Sequence, residues 1–249
     1  MSKTGSAFTY AQPPLSGGCQ YLSLDGDNGA PALRVWMNKP TGEMPVAGWP
    51  VLIVLDGERY FTTAAEMAQR LSNRTAKTRI VPMIVVGIAP AESDDRVAAY
   101  AFTAGEGVDS PLGEKVLERI RTELLPILSG EGADIGRVTL AGHSMSGLFA
   151  LEAMSRGAGF DRYAAISPSL WWNTGVIEAL NGPCENLLLA VGELEEARDV
   201  APIQKARGMV SNLMQLGEKL GVPVDVRANE DHGAVVYTVL PKVMRFASA

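Results

Sequence analysis

Apolar residues recur along this chain in two different rhythms. Two short runs near the N-terminus, 21–24 and 33–37, flank the turn-rich Asp25-Gly26-Asp27-Asn28-Gly29 and predict an antiparallel hairpin or meander. Beyond Trp49 the runs become continuous, at 51–55, 80–88, 138–140, 163–166 and 187–191, with a weaker one at 224–226. A strand that is apolar on both faces is one covered on both faces, as in a parallel sheet between two layers of helices. Between the runs the period lengthens. Ile203, Ala206, Met209, Val210, Leu213, Leu216 and Leu220 make one stripe on a helix that Pro202 opens. Val116, Ile120, Leu124 and Leu128 make a second, which Pro126 is expected to kink or end. Further helices are predicted over 61–73, 147–156 and 234–246. Strand–helix alternation after an antiparallel start predicts an α/β fold, with a mostly parallel central sheet, antiparallel N-terminal strands and helices on both faces. The connection 90–111 has no clear period and is long for a compact domain, which marks it as a candidate substrate loop.

Composition narrows this picture. The 249 residues suit one domain, with residues 1–18 irregular, and the 6% aromatic content makes the core aliphatic and Ala-rich. With 22 Lys+Arg against 28 Asp+Glu the net charge is −6, and without a basic run the chain is a poor partner for nucleic acid or an anionic membrane. The longest apolar stretch, 80–89, contains Pro82 and Gly87 and is too short to cross a bilayer. The N-terminus carries no apolar signal-type stretch, and Cys19 and Cys184 stand alone without metal or redox spacing. A soluble, cytoplasmic protein is expected. There are only two histidines, so a zinc site built on several imidazoles is excluded and any imidazole base is His143 or His232.

The chemistry concentrates in Gly142-His143-Ser144-Met145-Ser146-Gly147, which follows the run Arg137-Val138-Thr139-Leu140-Ala141 and precedes the helical Leu148-Phe149-Ala150-Leu151. This strand–turn–helix context is that of a G-x-S-x-G nucleophile elbow, with Ser146 in place of the last glycine. The small residues let the turn close tightly enough to project the Ser144 hydroxyl over the sheet end. Serine is a weak nucleophile without a base. His143 sits on the elbow itself and is expected to pack or hydrogen-bond there, which leaves His232, in Glu230-Asp231-His232-Gly233 between the last strand and the last helix. An acid is needed between them in chain order, and Gly192-Glu193-Leu194-Glu195-Glu196 supplies three candidates at a strand end. In hydrolases of this type the acid often sits three residues past the strand-ending glycine, which points to Glu195. Glu193, Glu196 and a dyad without acid stay open. Two backbone amides must hold the oxyanion, one from Met145 and one from the turn at Gly57-Glu58 after the run 51–55.

Taken as a set, these segments resemble the esterase-D-type branch of the α/β-hydrolase superfamily. The resemblance rests on Val54-Leu55-Asp56-Gly57-Glu58-Arg59-Tyr60-Phe61, the elbow, Phe160-Asp161-Arg162-Tyr163, Ser167-Pro168-Ser169-Leu170-Trp171-Trp172, Gly192-Glu193-Leu194-Glu195 and Glu230-Asp231-His232-Gly233. It covers the chain from about Trp49 onward and is closest to the siderophore esterases, which cleave enterobactin-type trilactones to release iron. It implies a cofactor-free serine esterase with no metal of its own, whose partner is a small ester, a siderophore or its ferric complex. Related enzymes often carry Arg-x-x-Asp-aromatic-Thr-Pro after the fourth strand, whereas this chain has Arg96 followed by Tyr100-Ala101-Phe102-Thr103-Ala104. Arg96, Arg59, Tyr60, Trp171 and Trp172 are the candidate substrate contacts. A short-chain or aromatic-acyl esterase or thioesterase, and a catalytically silent binding protein on the same fold, are the competing readings.

Overall fold

In the computed structural model, which describes residues 19–26, 29–92, 96–197 and 200–249, eight strands form one sheet. They are β1 (Cys19–Leu24), β2 (Leu33–Asn38), β3 (Trp49–Leu55), β4 (Ile84–Pro90), β5 (Ala133–His143), β6 (Arg162–Ile166), β7 (Leu187–Gly192) and β8 (Val224–Arg227). The order is β1-β2-β4-β3-β5-β6-β7-β8. β1 with β2 and β2 with β4 pair antiparallel, and every other neighbour is parallel. The helices in chain order are α1 (Gly57–Ser72), α2 (Thr75–Thr78), α3 (Arg96–Tyr100), α4 (Gly113–Arg119), α5 (Leu125–Gly130), α6 (Met145–Ser155), α7 (Gly175–Ala179), α8 (Pro202–Ala206), α9 (Met209–Leu220) and α10 (Val235–Ser248). The expectation for residues 1–18 lies outside the described residues.

The continuous apolar runs have the cause inferred for them. Along β3, Val51, Ile53 and Leu55 pack into a core shared with α4, α5, α6 and α9, while Leu52 and Val54 pack into a second core under α1 and α10. Side chains alternate across a strand, so both faces must be apolar when both are covered. Each fully buried Leu or Ile contributes roughly 1.5–3 kcal/mol, so these two cores supply the main driving force for the fold. The parallel strands β3, β5, β6 and β7 all run into loops at one sheet edge, and the candidate site forms there.

Three local expectations are corrected. The stripe from Ile203 to Leu220 is two helices rather than one, because Gly208 adopts φ 56°, ψ 44° and breaks the chain direction between α8 and α9. Pro126 does not end the second stripe. A π-helical turn over Ile120–Leu124 comes first, with the Leu125 N–H reaching back five residues to the Ile120 carbonyl, and the helix runs on through Pro126 in the first turn of α5. The run 80–88 enters the sheet only at Ile84, after Pro82, which has no N–H to give a ladder. The 90–111 connection contains α3 and is tied down by Leu112 N–H to the Ala98 carbonyl (2.8 Å) and Gly113 N–H to the Ala101 carbonyl (2.8 Å). Cys19 and Cys184 are both unpaired. Among the described residues no helix is long and apolar enough to cross a membrane.

Candidate active site

β5 hands the chain to α6 through Ser144 at φ 62°, ψ −121°. A non-glycine residue there carries on the order of 1–3 kcal/mol of backbone strain, which the surrounding fold must hold in place. The turn is tight for the reason its sequence implied: a Cβ on Gly142 would lie 2.0 Å from the Ser146 carbonyl oxygen. The Ser144 N–H donates to the Ile166 carbonyl (3.0 Å), tying the elbow to β6. Its hydroxyl lies 3.3 Å from the Ser169 hydroxyl, and the Ser169 N–H donates to the Ser144 carbonyl (3.1 Å).

His232 reaches the same edge on the loop between β8 and α10, where Asp231 caps the helix by accepting from Gly233 N–H (2.9 Å) and Ala234 N–H (2.8 Å). Its Nδ1 pairs with Glu195 Oε2 at 2.6 Å. Glu195 is buried, and its other oxygen accepts from the Ser167 hydroxyl (2.5 Å) and the Gly192 N–H (2.8 Å). Burial pushes this carboxyl up, but the hydrogen bonds from His232, Ser167 and Gly192 outweigh it and hold the group below the usual carboxylate range. Of the three glutamates after β7, Glu195 is the one that meets the imidazole. The carboxylate of Glu193 accepts from Asn229 N–H (3.1 Å), and that of Glu196 accepts from Ser211 N–H (3.0 Å) and hydroxyl (2.8 Å) beside α9.

Gly57 and Met145 are the first residues of α1 and α6, positions whose N–H groups have no intrahelical acceptor. β3 and β5 are parallel neighbours, with Val54 opposite Ala141 as the last paired position before the two turns. Between the two helix starts lies a cluster that sequence reasoning missed. Asp56, fully buried, accepts from Nε and Nη2 of Arg96 (2.5 and 2.7 Å) and from the hydroxyl of Ser146 (2.6 Å). The Asp56 N–H donates to the Tyr100 hydroxyl (3.1 Å), which itself donates to the Ile88 carbonyl (3.2 Å). The serine that replaces the last elbow glycine thus anchors the elbow to the turn after β3.

Three of the candidate substrate contacts are not among the residues that line the cavity. Arg96 is spent on Asp56 and does not line the cavity, because leaving that carboxylate buried without a counter-charge costs more than exposing the guanidinium gains. Arg59 lies exposed on α1, away from the cavity wall. Tyr60 is buried, its hydroxyl 2.9 Å from His143 Nδ1. Replacing Arg96 by alanine should cost about 3 kcal/mol of stability, since it strands the Asp56 charge. Urea unfolding of the variant checks this, and a loss below about 1 kcal/mol would contradict the ion-pair assignment.

His143 is buried as well, with its ring centroid 4.6 Å from that of His232. Burial, and then the nearby His232, lower its pKa from 6.5 to about 4, while burial and the Asp56 charge push the Tyr60 hydroxyl up to about 12. Tyr60 therefore remains a donor to Nδ1, and His143 stays neutral. The folded form binds this proton less readily than the unfolded chain does. The resulting stability is present above pH 6.5 and is lost as the pH falls towards about 4, to a total of about 3 kcal/mol. Unfolding free energies measured between pH 7 and pH 4 should show this slope in the wild type and a shallower one in His143→Gln.

Ser144, Met145, Ser169, Trp171, Trp172 and His232 line one cavity of about 480 Å³ at the sheet edge, with Val97 and Glu106 from the 90–111 connection on its wall. Of the candidate substrate contacts, Trp171 and Trp172 are the two on its wall. Ser169 and Arg207 were not foreseen. Ser169 had a signal, since Ser167-Pro168-Ser169 leaves β6 at the same edge as the elbow; Arg207 had none, because its placement depends on the break at Gly208.

Comparison with known proteins agrees with this geometry. Residues 34–213 match the Esterase family model, described as "Putative esterase". The ferri-bacillibactin esterase BesA of Bacillus subtilis is 27% identical over 98% of this chain and 92% of its own length. The siderophore triacetylfusarinine C esterase of Aspergillus fumigatus is 31% identical over 65% of this chain and 59% of its own. The crystal structure of BES protein from Bacillus cereus matches with a TM-score of 0.81 at 25% identity, covering 97% of this chain and 99% of that one. The chain belongs to the Esterase family, as a serine hydrolase of carboxylic esters built on the α/β-hydrolase fold.

Proposed function

We propose that this esterase cleaves the ester bonds of a siderophore of trilactone type, with Ser144 as nucleophile, His232 as base and Glu195 as the acid that orients it. The observation that carries the catalytic part is the 2.6 Å contact between Glu195 Oε2 and His232 Nδ1 on the wall of the cavity that also holds Ser144. Glu195 holds the proton on Nδ1 and leaves Nε2 free to accept one. The Ser144 hydroxyl turns from Ser169 towards His232, loses its proton to Nε2 and attacks the ester carbonyl carbon. The amides of Met145 and Gly57 hold the oxygen that becomes negative. Collapse breaks the bond to the alcohol oxygen, which takes the proton from His232. Water then repeats the cycle on the acyl-serine, releasing the acid and restoring the hydroxyl.

The siderophore assignment draws on BesA, named as a ferri-bacillibactin esterase and similar along almost the whole chain. Two unpaired cysteines fit a reducing, cytoplasmic setting. The test is to incubate the protein with an enterobactin-type trilactone, iron-free and ferric, and with p-nitrophenyl esters of short acids. Trilactone turnover well above simple-ester turnover is expected. Turnover of simple esters alone would favour the general carboxylesterase reading, to which Ala101 and Ala104 point as departures in the substrate loop. Failure of a fluorophosphonate probe to label the folded protein would favour a silent binding protein.

A further inference from the structure

Arg207 is the one cation on the cavity wall among the described residues, alongside the carboxylates of Glu106, Glu195 and Asp231. It belongs to no ion pair among those residues. Among the described residues this cavity thus offers a ligand one guanidinium set among carboxylates. Its guanidinium carbon lies 4.3 Å from the centroid of the Trp171 ring. Stacking on an indole fixes the plane of the guanidinium while leaving its in-plane N–H donors free.

The placement is built into the backbone. α8 stops at Ala206, and Gly208 at φ 56° reverses the chain before α9. The Asn212 side-chain amide then donates to the Arg207 carbonyl at 3.0 Å. A continuous helix would have carried Arg207 elsewhere. The two neighbouring tryptophans divide the work: the Trp172 indole N–H donates to the Thr103 carbonyl (3.3 Å) and its ring closes on Gly105, so Trp172 supports the loop. Trp171 is left to carry the arginine.

We propose that Arg207, stacked on Trp171, is the specificity-determining contact of this cavity. It takes a planar, anionic pair of adjacent oxygens that the substrate carries at a distance from the ester bond. A guanidinium held in one plane offers two parallel N–H donors, and a carboxylate or a catecholate matches that fork where a single neutral hydroxyl does not. Glu106 and Asp231 repel the same group elsewhere on the wall, so the charge pattern sets which end of the substrate faces Ser144. The inference rests on the ester-hydrolysis reading above and adds to it the chemistry of the remote group.

The experiment compares matched substrates in wild type, Arg207→Gln and Arg207→Lys. One arm sets the p-nitrophenyl monoester of suberic acid against p-nitrophenyl octanoate. The other sets the methyl ester of N-(2,3-dihydroxybenzoyl)serine against that of N-benzoylserine. The readout is the ratio of kcat/KM for the partner that carries the oxygen pair over the one that lacks it, with the catechol arm run at an alkaline pH where the catechol is ionised. Arg207→Gln should lower that ratio by roughly five- to tenfold, the scale of a charge-assisted contact at a partly wet site, and Arg207→Lys should restore only part of it. A drop in one arm alone supports the contact and assigns the oxygen pair to that class. Equal ratios in wild type and Arg207→Gln in both arms would overturn the proposal. Wild-type turnover of the neutral esters reports separately on the hydrolysis reading, which fails if those esters and the trilactone are all untouched.

Discussion

The Ser144→Ala variant should lose roughly 10⁴- to 10⁶-fold in kcat on p-nitrophenyl acetate while keeping its fold. The size of the loss follows from what the elbow does. Ser144 is placed over the sheet edge by a strained backbone conformation at the turn from β5 into α6. Without its oxygen no acyl-enzyme forms, and what is left is the water reaction helped by the oxyanion donors. Ser169 is the neighbouring hydroxyl, 3.3 Å from that of Ser144, but it lacks the elbow geometry that presents a nucleophile. The measurement is initial rates with circular dichroism and an unfolding midpoint alongside. Activity within tenfold of wild type, in protein free of contaminating esterase, would remove Ser144 from the mechanism.

Glu195→Gln should lower kcat by roughly 10²- to 10⁴-fold, with a smaller change in KM. The carboxylate accepts from the imidazole at 2.6 Å and is itself held by Ser167 and the Gly192 amide, so an isosteric amide keeps the shape but loses the charge that stabilises the imidazolium. It also allows the amide NH₂ to face Nδ1, which selects the wrong tautomer. Glu193→Gln and Glu196→Gln are the internal comparison, since their carboxylates bind Asn229 and Ser211 and not the imidazole. They should change kcat by no more than a few-fold. A Glu195→Gln enzyme as active as these two would mean a Ser–His dyad. Stability gives a second readout: with its folded pKa below the unfolded value, Glu195 stabilises above the ordinary carboxylate range and loses this as the pH falls through the lower value. Glu195→Gln removes that acid-side loss.

How far the residues alone could lead differs from element to element. The sheet was readable because a strand covered on both faces must be apolar throughout, a property of neighbouring residues. The runs at 51–55 and 187–191 accordingly fall within β3 and β7. Periodicity was less reliable for the helices. The stripe from Ile203 to Leu220 is apolar across Gly208, yet only its α9 part is buried: Ile203 is 71% exposed and α8 buries no residue, because the backbone turns between the two helices. The π-helical turn before Pro126 shows the reverse: proline removes one donor, and a wider turn upstream absorbs the mismatch without ending the helix.

The site divides along the same line. Ser144 and His232 could be named because the chain contains one elbow in the right context and only two imidazoles, so elimination did the work of geometry. The pairing of Arg96 could not be read from the chain, because its partner, Asp56, lies forty residues away and is met only when α3 folds over the turn after β3. Arg207 was invisible for a similar reason.

Amino-acid order by itself determined the class of fold and singled out one candidate nucleophile, one candidate base and the strand end with three candidate acids. All of these depend on local pattern or on scarcity of residue type. Only the tertiary structure decided which of three glutamates meets the imidazole, where Ser146 binds, and which arginine stands on the cavity wall. Those outcomes depend on which distant side chains the strand register and helix packing bring within hydrogen-bond reach, and on burial, which obliges a carboxylate such as Asp56 to take the nearest cation for itself.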